Sequence, residues 1–172
     1  MKVGILSDTH GQVDLALSAA REFIFRGIDA VLHCGDIGSD MVLTEMASIF
    51  QTLEIPVYAV LGNCDIPSDW DFYPEDIGVR ILGRFGEIEL AGKKIAMLHS
   101  DDEHAFDRVA AAGKYDYLLS GHSHVRHDRR KHKTRLINPG SAGRGMHPSC
   151  AVLNLLDDDL EFITIHRSDA ER

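Results

Sequence analysis

The feature that most constrains the fold is a series of five short apolar runs, each of which ends in a cluster of polar residues. The runs cover residues 3–6, 30–32, 57–61, 95–98 and 117–119. They are continuous rather than alternating, which is typical of strands that are buried on both faces of a sheet. Helical patterns at residues 15–24 and 41–50 separate the first three runs, and Gly27 is a plausible stop for the first. Alternating strands and helices predict right-handed βαβ units and a parallel sheet.

The second half of the chain has a different pattern. Residues 85–99 predict a hairpin that turns at Ala91 and Gly92. Residues 102–112 predict a helix that is capped by Ser100 or Asp101 and closed by Gly113. Residues 125–166 predict mostly antiparallel strands. We therefore expect an α/β fold in which two packed sheets have helices outside.

The remaining segment, residues 66–84, is the least regular part of the chain. It predicts a loop or a short helix, and it contains Trp70, Phe72 and Tyr73. These aromatic side chains could pack the loop onto the body of the protein, or they could line a substrate rim. Since no low-complexity linker interrupts the 172 residues, we expect a single domain that spans residues 1–172.

Composition limits the kinds of partner. The chain carries 18 Lys+Arg against 27 Asp+Glu, a net charge of −9, which argues against nucleic acid or an anionic membrane as a partner. The three cysteines, Cys34, Cys64 and Cys150, cannot form a disulfide framework and fit a reducing compartment. The N-terminal residues show neither a signal peptide nor a spanning run, so we expect a cytoplasmic protein. The sequence does not determine the oligomeric state, and a homo-oligomer is one of the alternatives.

The polar clusters that end the five runs carry the chemistry. Because the carboxyl ends of neighbouring strands in an α/β sheet face one crevice, these side chains should lie together although they are far apart in sequence. The converging candidates are Asp8, His10, Asp36, Asn63, His99, His122 and His124. Such a mixture of oxygen and imidazole ligands suits Mn, Fe, Zn, Co or Ni better than Ca or a thiolate-rich structural zinc.

Each candidate also has a plain structural explanation when it is taken alone. Asp8 and Asp36 could cap the helices that follow them, Asn63 could form a turn, and His99 could be a satisfied core histidine. Taken together, these explanations fail, because seven such groups would leave several buried polar atoms unpaired without an ion. We expect His122 and His124 to point to the same side of an extended segment.

These motifs, in this order, resemble those of the calcineurin-like metallophosphoesterase superfamily over nearly the whole chain. The matching blocks are Asp8-Thr9-His10, Gly35-Asp36, Gly62-Asn63-Cys64-Asp65, the lone His99 and Gly121-His122-Ser123-His124. The short length, the cysteine in the third block and the INPGS motif at residues 137–141 are most similar to the small prokaryotic phosphodiesterase branch.

The resemblance implies a four-layer αββα sandwich, with two mixed β-sheets flanked by helices, and a centre of two divalent ions, Mn first. By this resemblance Asp8, His10, Asp36 and His124 would hold one ion, and Asp36, Asn63, His99 and His122 would hold the other. Asp36 would bridge the two, and a metal-activated hydroxide would attack phosphorus. The residues implied in catalysis are Asp36, Asn63, Cys64, Asp65 and His99, of which Asp65 would orient its loop.

Two positions depart from the superfamily pattern. Cys64 stands where a histidine is usual, which weakens the case for monoester hydrolysis, and Ser100 replaces the usual glycine after the lone histidine. We expect Cys64 to be neither a ligand nor an essential acid. We interpret INPGS as a tight turn below the metals rather than a phosphate loop, and His33 as a packing residue.

A basic segment, residues 126–135, holds six of the 18 Lys and Arg residues and one Asp. It could form a solvated hairpin or a basic lip for a phosphate-bearing substrate. The leading hypothesis for the whole chain is a phosphodiesterase that acts on a small phosphodiester. The alternatives are a catalytically silent protein-binding scaffold, a role that this fold also serves in membrane-trafficking coats, and a phosphomonoesterase of small metabolites.

Overall fold

Two β-sheets form the body of the protein. The computed structural model describes residues 1–71, 73–74 and 77–167. The first sheet has six strands in the order β11-β10-β1-β2-β3-β4 and the second has five in the order β5-β6-β7-β9-β8. The first sheet contains β1 (Lys2–Leu6), β2 (Ala30–His33), β3 (Val57–Ala59), β4 (Val79–Ile81), β10 (Ser149–Asn154) and β11 (Asp159–Thr164). The second contains β5 (Phe85–Leu90), β6 (Lys93–Leu98), β7 (Tyr117–Leu119), β8 (His127–Lys131) and β9 (Thr134–Asn138).

Three α-helices lie among the described residues: α1 (Val13–Arg26), α2 (Asp40–Gln51) and α3 (Glu103–Ala111). Gly27 ends α1 in the left-handed conformation, with φ of 64°, where a side chain would be strained. The N-cap of α3 is Asp102, whose carboxylate accepts the N–H of Ala105 at 2.9 Å. The prediction of Ser100 or Asp101 as the cap was therefore wrong. None of the helices in the described part of the chain is long and apolar enough to cross a membrane.

Three hydrophobic clusters separate four layers, which confirms the predicted αββα sandwich. Phe23 and Phe50 belong to the cluster between the first sheet and helices α1 and α2. Ile5 and Met97 belong to the cluster between the two sheets. A smaller cluster, which includes Leu118, packs α3 onto the second sheet. Neighbouring residues of β1 are thus buried on opposite faces, which is why its sequence is apolar without alternation.

The pairing of the strands follows the predicted change in pattern. Strands β1, β2 and β3 pair in parallel, as do β6, β7 and β9. The hairpins β5–β6, β8–β9 and β10–β11 are antiparallel. This combination of parallel and antiparallel pairs places the carboxyl ends of five strands at one edge of the sandwich. They are β1, β2 and β3 of the first sheet and β6 and β7 of the second.

The irregular segment at residues 66–84 holds a 3₁₀ turn, Pro67–Asp69, and a strand that the sequence did not predict, β4. Strand β4 has only three residues, too few for a recognisable pattern. Trp70 is 8% exposed and joins the core between the first sheet and its helices, with Tyr73 packed against it. This supports packing as the role of these two aromatic residues. Phe72 lies outside the described residues.

Candidate metal centre

Loops after five strands bring the seven candidate ligands together. Asp8 and His10 follow β1, Asp36 follows β2, and Asn63 follows β3. His99 directly follows β6, and His122 and His124 follow β7. A hydrogen bond joins the two sheets at this edge, because the backbone N–H of His122 donates to Asp8 Oδ2 at 3.2 Å. The predicted convergence of these seven side chains is therefore present in the fold.

One group of ligand atoms surrounds the side chain of Asp8. Asp8 Oδ1 lies 3.1 Å from His124 Nε2 and 3.9 Å from His10 Nε2. The two imidazole nitrogens, Nε2 of His10 and Nε2 of His124, lie 3.3 Å apart. Ligand atoms of these three residues all fall within 4.8 Å of one another, a spacing that one cation can span.

A second group surrounds Asp36. Its Oδ2 atom lies 3.3 Å from His99 Nε2 and 3.8 Å from His10 Nε2, so this one oxygen faces both groups. Beside it, Asn63 Oδ1 and His122 Nδ1 lie 3.1 Å apart. His99 is fixed through its other nitrogen, Nδ1, which lies 2.8 Å from the carbonyl oxygen of Cys34. That contact aims His99 Nε2 into the centre, as second partners of metal-binding histidines commonly do.

Two buried atoms at the centre have no hydrogen-bond partner. They are Asp8 Oδ1 and His99 Nε2, whose residues are 0% and 1% exposed. Burial raises the pKa of Asp8 above its ordinary value, because the charged carboxylate has lost its water. A buried oxygen and a buried imidazole nitrogen without partners are costly unless a cation occupies the space between them. The donor set therefore fits divalent metal ions.

The carboxylate of Asp36 is held in its charged form. Burial alone would raise its pKa, but the close approach of the His99 ring and the hydrogen bond from the backbone N–H of Cys64 hold the pKa well below its usual range. The Cys64 N–H donates to Asp36 Oδ1 at 2.8 Å, which leaves Oδ2 free to face the histidines. An anionic residue with one oxygen turned toward two groups of ligands suits a bridging position.

The backbone at the centre is unusual. Five of the seven candidates have positive φ angles in the left-handed region: Asp8 (56°), His10 (45°), Asp36 (51°), His122 (68°) and His124 (57°). Such conformations cost roughly 1–2 kcal/mol each for a residue with a side chain. The prediction that His122 and His124 lie on one extended segment was wrong, because the loop after β7 turns at both residues. Backbone strain that is concentrated in one region of a protein is a sign of a functional site.

The plain structural explanations do not hold for the two carboxylates. Gln12 is the N-cap of α1, and Ser39 is the N-cap of α2, where its hydroxyl accepts the N–H of Met41. Asp8 and Asp36 therefore cap neither helix. His99 keeps one ring nitrogen unpaired, so it is not a satisfied core histidine either.

Two glycines allow the loops to approach. A Cβ atom on Gly62 would lie 2.2 Å from Asp36 Oδ1, and a Cβ on Gly121 would lie 1.9 Å from Ser7 Oγ and 2.7 Å from Asp8 Oδ2. Side-chain atoms cannot come so close, so both positions require glycine for steric reasons alone.

The third block, residues 62–65, places Asp65 and Cys64 in different settings. Asp65 is 3% exposed, and its carboxylate accepts the backbone N–H groups of Ile37, Gly38 and Gly62 at 2.8–3.1 Å. It thus ties the loop after β3 to the loop after β2. Cys64 is exposed and unbridged, and its sulfur lies within 4.8 Å of ligand atoms of His10 and Asp36.

Other residues that fix the ligand loops were missed or undervalued in the sequence. Burial lowers the pKa of His33 to about 4, so its ring is neutral. Its Nδ1 accepts the N–H of Gly35, and its Nε2 lies 3.0 Å from Thr9 Oγ1. His33 therefore links the loops after β1 and β2, and its position directly before Cys34-Gly35-Asp36 was the available signal.

The INPGS motif also fixes ligand loops. Asn138 Nδ2 donates to the carbonyl of Gly121 at 2.6 Å, and Ser141 Oγ donates to the carbonyl of Asp8 at 3.0 Å. Asn138 Oδ1 accepts the N–H of Gly140, which closes the turn. The motif is thus a turn that supports the centre, as interpreted from the sequence.

The basic segment forms the hairpin β8–β9, and three of its six Lys and Arg residues form ion pairs. Arg130 pairs with Asp158, Lys131 with Asp107 at 3.2 Å, and Arg135 with Asp128 at 2.8 Å. These contacts match the solvated hairpin better than a free basic lip.

Comparison with known proteins identifies relatives along nearly the whole chain. A model of the calcineurin-like phosphoesterase superfamily domain matches residues 1–158. A phosphodiesterase of Methanocaldococcus jannaschii is 30% identical over 146 residues, which cover 81% of this chain and 83% of that protein. Among solved structures, an archaeal phosphodiesterase superposes with a TM-score of 0.84 at 25% identity, covering 96% of this chain and 100% of that one.

A protein of a different kind shares the fold. Wild-type Vps29 of Entamoeba histolytica, in complex with Zn²⁺, superposes with a TM-score of 0.62 at 20% identity, covering 98% of this chain and 100% of that one. At this identity the likeness concerns the fold alone. The family match spans most of the chain and agrees with the 30%-identical relative, so the protein belongs to the calcineurin-like phosphoesterase superfamily.

Proposed function

We propose that the protein is a metal-dependent phosphodiesterase that hydrolyses a small phosphodiester. The observation that carries this proposal is the pair of buried, unpaired atoms, Asp8 Oδ1 and His99 Nε2, inside a ring of oxygen and imidazole ligands. A scaffold would have no reason to keep such costly groups unpaired. The relatives named as phosphodiesterases support the substrate class.

Seven residues would hold two divalent ions in this proposal. Asp8, His10 and His124 would hold one, Asn63, His99 and His122 would hold the other, and Asp36 would lie between them. When bound, two such ions neutralise phosphoryl oxygens and lower the pKa of a water molecule. The donor set of carboxylate, amide and imidazole suits Mn first, with Fe, Ni, Zn and Co as alternatives.

The side chains of this protein position the reaction. Water loses a proton as its oxygen forms a bond to phosphorus, the ester P–O bond breaks on the opposite side, and the leaving alkoxide takes up a proton to become the alcohol. The products are a monoester and an alcohol. Asp65 and His33 hold the ligand loops in place, so the geometry is set before substrate binds.

Cys64 stands at the edge of this centre and is a poor acid for the departing alcohol. Burial and a hydrogen bond to Asp36 raise the pKa of its thiol above the ordinary value. A thiol of ordinary pKa is already a weaker donor at neutral pH than an imidazole would be. The protein is therefore best suited to esters whose leaving group needs little protonation, and less suited to monoesters.

The test is hydrolysis of bis(4-nitrophenyl) phosphate beside 4-nitrophenyl phosphate, with Mn, Ni, Zn and Mg compared. We expect metal-dependent cleavage of the diester, strongest with Mn, and weaker cleavage of the monoester. Preference for the monoester would make the protein a phosphomonoesterase. No hydrolysis of either ester with any metal would favour a scaffold.

A further inference from the structure

A cavity opens beside His122, away from the first group of ligands, which consists of Asp8, His10 and His124. It has a volume of about 310 Å³ and lies between α3, β8 and the loop after β7. Its lining includes Ser100, Phe106, Ser120, His122, His127 and Arg129. We call it the β8 cavity. Its size is at the lower end for binding sites of small organic groups.

Two residues that line the β8 cavity each carry a buried polar atom that has no hydrogen-bond partner. These atoms are Ser120 Oγ and His127 Nε2, and Ser120 is only 1% exposed. Neither residue is among the seven candidate ligands. Burial lowers the pKa of His127, so its ring is neutral, and Nε2 can donate or accept according to the tautomer. Buried polar atoms without hydrogen-bond partners are costly, and a ligand that bonds to them would remove this cost.

The charges around the β8 cavity leave one cation available. Alternate residues of β8 point to opposite faces, and His127, Arg129 and Lys131 share the face that looks toward α3. Lys131 pairs there with Asp107. Arg129 lines the cavity, and no ion pair or hydrogen bond of its guanidinium is found among the described residues.

The cavity on the other side of the centre differs. It has a volume of about 380 Å³ and lies beside Cys64. Asp40, Asp65 and Asp69 line it, and no Lys or Arg is part of its lining within the described chain. Of these two cavities, only the β8 cavity therefore has a cationic donor in its described lining.

We propose that the β8 cavity binds one of the two ester groups of the substrate, and that this group is uncharged, hydroxyl-bearing and of the size of glycerol or ribose. The proposal deepens the phosphodiesterase function and rests on it. A hydroxyl both donates and accepts, so it can satisfy Ser120 Oγ and either tautomer of His127. The ring of Phe106 offers an apolar wall for the carbon atoms of the group.

A second phosphate fits the β8 cavity less well than a hydroxyl group. Glu103 and Asp107 also line the cavity, and their carboxylates oppose a strongly anionic group. Lys131 offsets the charge of Asp107, so Arg129 and Glu103 are the remaining charges of the lining, and they are of opposite sign. The specificity of the enzyme for its ester group therefore lies in residues that are not metal ligands.

The test compares two diesters that share a nitrophenyl leaving group and differ only in hydroxyls, glyceryl nitrophenyl phosphate and propyl nitrophenyl phosphate. For the wild-type protein loaded with Mn we expect kcat/KM to be about tenfold higher for the glyceryl ester, roughly one net hydrogen bond. Ser120→Ala, His127→Phe and Arg129→Ser should each lower this ratio, and the double variant of Ser120→Ala with His127→Phe should bring it near 1. Lys133→Ser, which removes a charge from the turn of the same hairpin, should leave the ratio unchanged.

The outcomes separate this inference from the function on which it rests. Hydrolysis of both esters at equal rates would overturn the role of the β8 cavity and leave the phosphodiesterase function intact. A wild-type preference that survives the double variant would overturn it too. If neither ester is hydrolysed, the phosphodiesterase function fails, and calorimetric titration of glycerol phosphate and propyl phosphate still decides the binding claim. Equal affinities of the wild-type protein for these two ligands would contradict it.

Discussion

The metal centre and the β8–β9 hairpin contain the same kinds of residue in opposite physical situations. In the hairpin Arg135 is paired with both Asp128 and Asp158, at 2.8 and 2.6 Å. In the centre Asp8 and Asp36 face histidines, and Asp8 Oδ1 accepts no hydrogen bond. The buried cation Arg135 of the hairpin is paired on both sides, whereas a buried carboxylate oxygen of the centre has no hydrogen-bond donor. Unsatisfied burial, rather than the number of charges, is what marks the functional region.

The backbone supports the same contrast. His132 and Asp158 also have positive φ angles, 55° and 57°. They lie in the turns that follow β8 and β10, where left-handed residues are common in tight hairpins. Asp8, Asp36 and His122 are left-handed in loops that no hairpin closes. Positive φ becomes informative when it coincides with burial and missing hydrogen bonds.

The strongest way to test the contrast is to neutralise one carboxylate in each region. Asp36→Asn keeps the shape of the side chain and an acceptor for the Cys64 N–H, but it removes the charge between the two groups of ligands. We expect the loss of most bound Mn and a fall in kcat of about 10²–10³-fold. Asp128→Asn is the matched control in the hairpin and should change kcat less than twofold. Metal analysis and diester hydrolysis measure both, and one tightly held ion with full activity in Asp36→Asn would refute the bridging role.

A second comparison uses glycines. Gly121→Ala would place a Cβ 1.9 Å from Ser7 Oγ, so the loop that carries His122 and His124 must shift. We expect a loss of stability of about 1–3 kcal/mol from overpacking, together with a loss of most activity. Gly113→Ala introduces a side chain at φ of 60° with open space around it.

Gly113→Ala should therefore lose only about 1–2 kcal/mol, the cost of the left-handed conformation, without loss of activity. Thermal unfolding and diester hydrolysis separate the two variants. Full activity in Gly121→Ala would mean that the loop after β7 does not need its close approach to Ser7 and Asp8.

A smaller effect is expected at Cys64. Cys64→Ala should keep both metals and lose less than about tenfold in kcat, about 1.4 kcal/mol, on a nitrophenyl diester. The reason is that the leaving group needs little protonation and the thiol is a weak donor. Cys64→His should raise activity most on esters of poorly leaving alcohols. Abolished hydrolysis in Cys64→Ala with two metals still bound would make Cys64 essential and contradict this account.

The smallest effect is expected in the hairpin. The guanidinium of Arg135 holds the pKa of Asp128 below its ordinary value of 3.8. A lowered folded-state pKa stabilises the protein at pH values above 3.8, and the contribution is lost as pH falls through the folded-state pKa. Because the pair is partly exposed, it should contribute no more than about 1 kcal/mol at pH 7.

The hairpin prediction is measured by urea unfolding of wild-type and Asp128→Asn protein at pH 7 and pH 3. The difference in the free energy of unfolding should be largest at pH 7 and shrink at pH 3. A difference that grows in acid would show that Asp128 is not stabilised by its arginine partner.

Much of the fold could be predicted from the sequence because its signals are local and strong. The continuous apolar runs predict the buried strands, and Gly27 marks the end of α1. Strand β4 was missed because three residues carry too little pattern. The α3 cap was misplaced by one or two residues, because Ser100, Asp101 and Asp102 are all good caps and only the geometry selects Asp102.

The convergence of the seven candidate ligands could be predicted from the sequence because strand ends converge in this class of sheet. The contacts that support these residues could not be predicted, because the hydrogen bonds of His33 to Thr9 and of Ser141 to Asp8 join residues that are far apart in the chain. The left-handed turns at His122 and His124 were equally hidden, because histidine has no preference for them strong enough to read. The β8 cavity depends on the packing of α3 against β8, which no local pattern encodes.

The most direct test of the central claim is anomalous diffraction from crystals of the protein loaded with Mn. We expect two peaks per chain, about 3.5–4 Å apart, one among Asp8, His10 and His124 and the other among Asn63, His99 and His122. The carboxylate of Asp36 should contact both. A single peak, or peaks that leave Asp8 Oδ1 and His99 Nε2 without a ligand, would contradict the account.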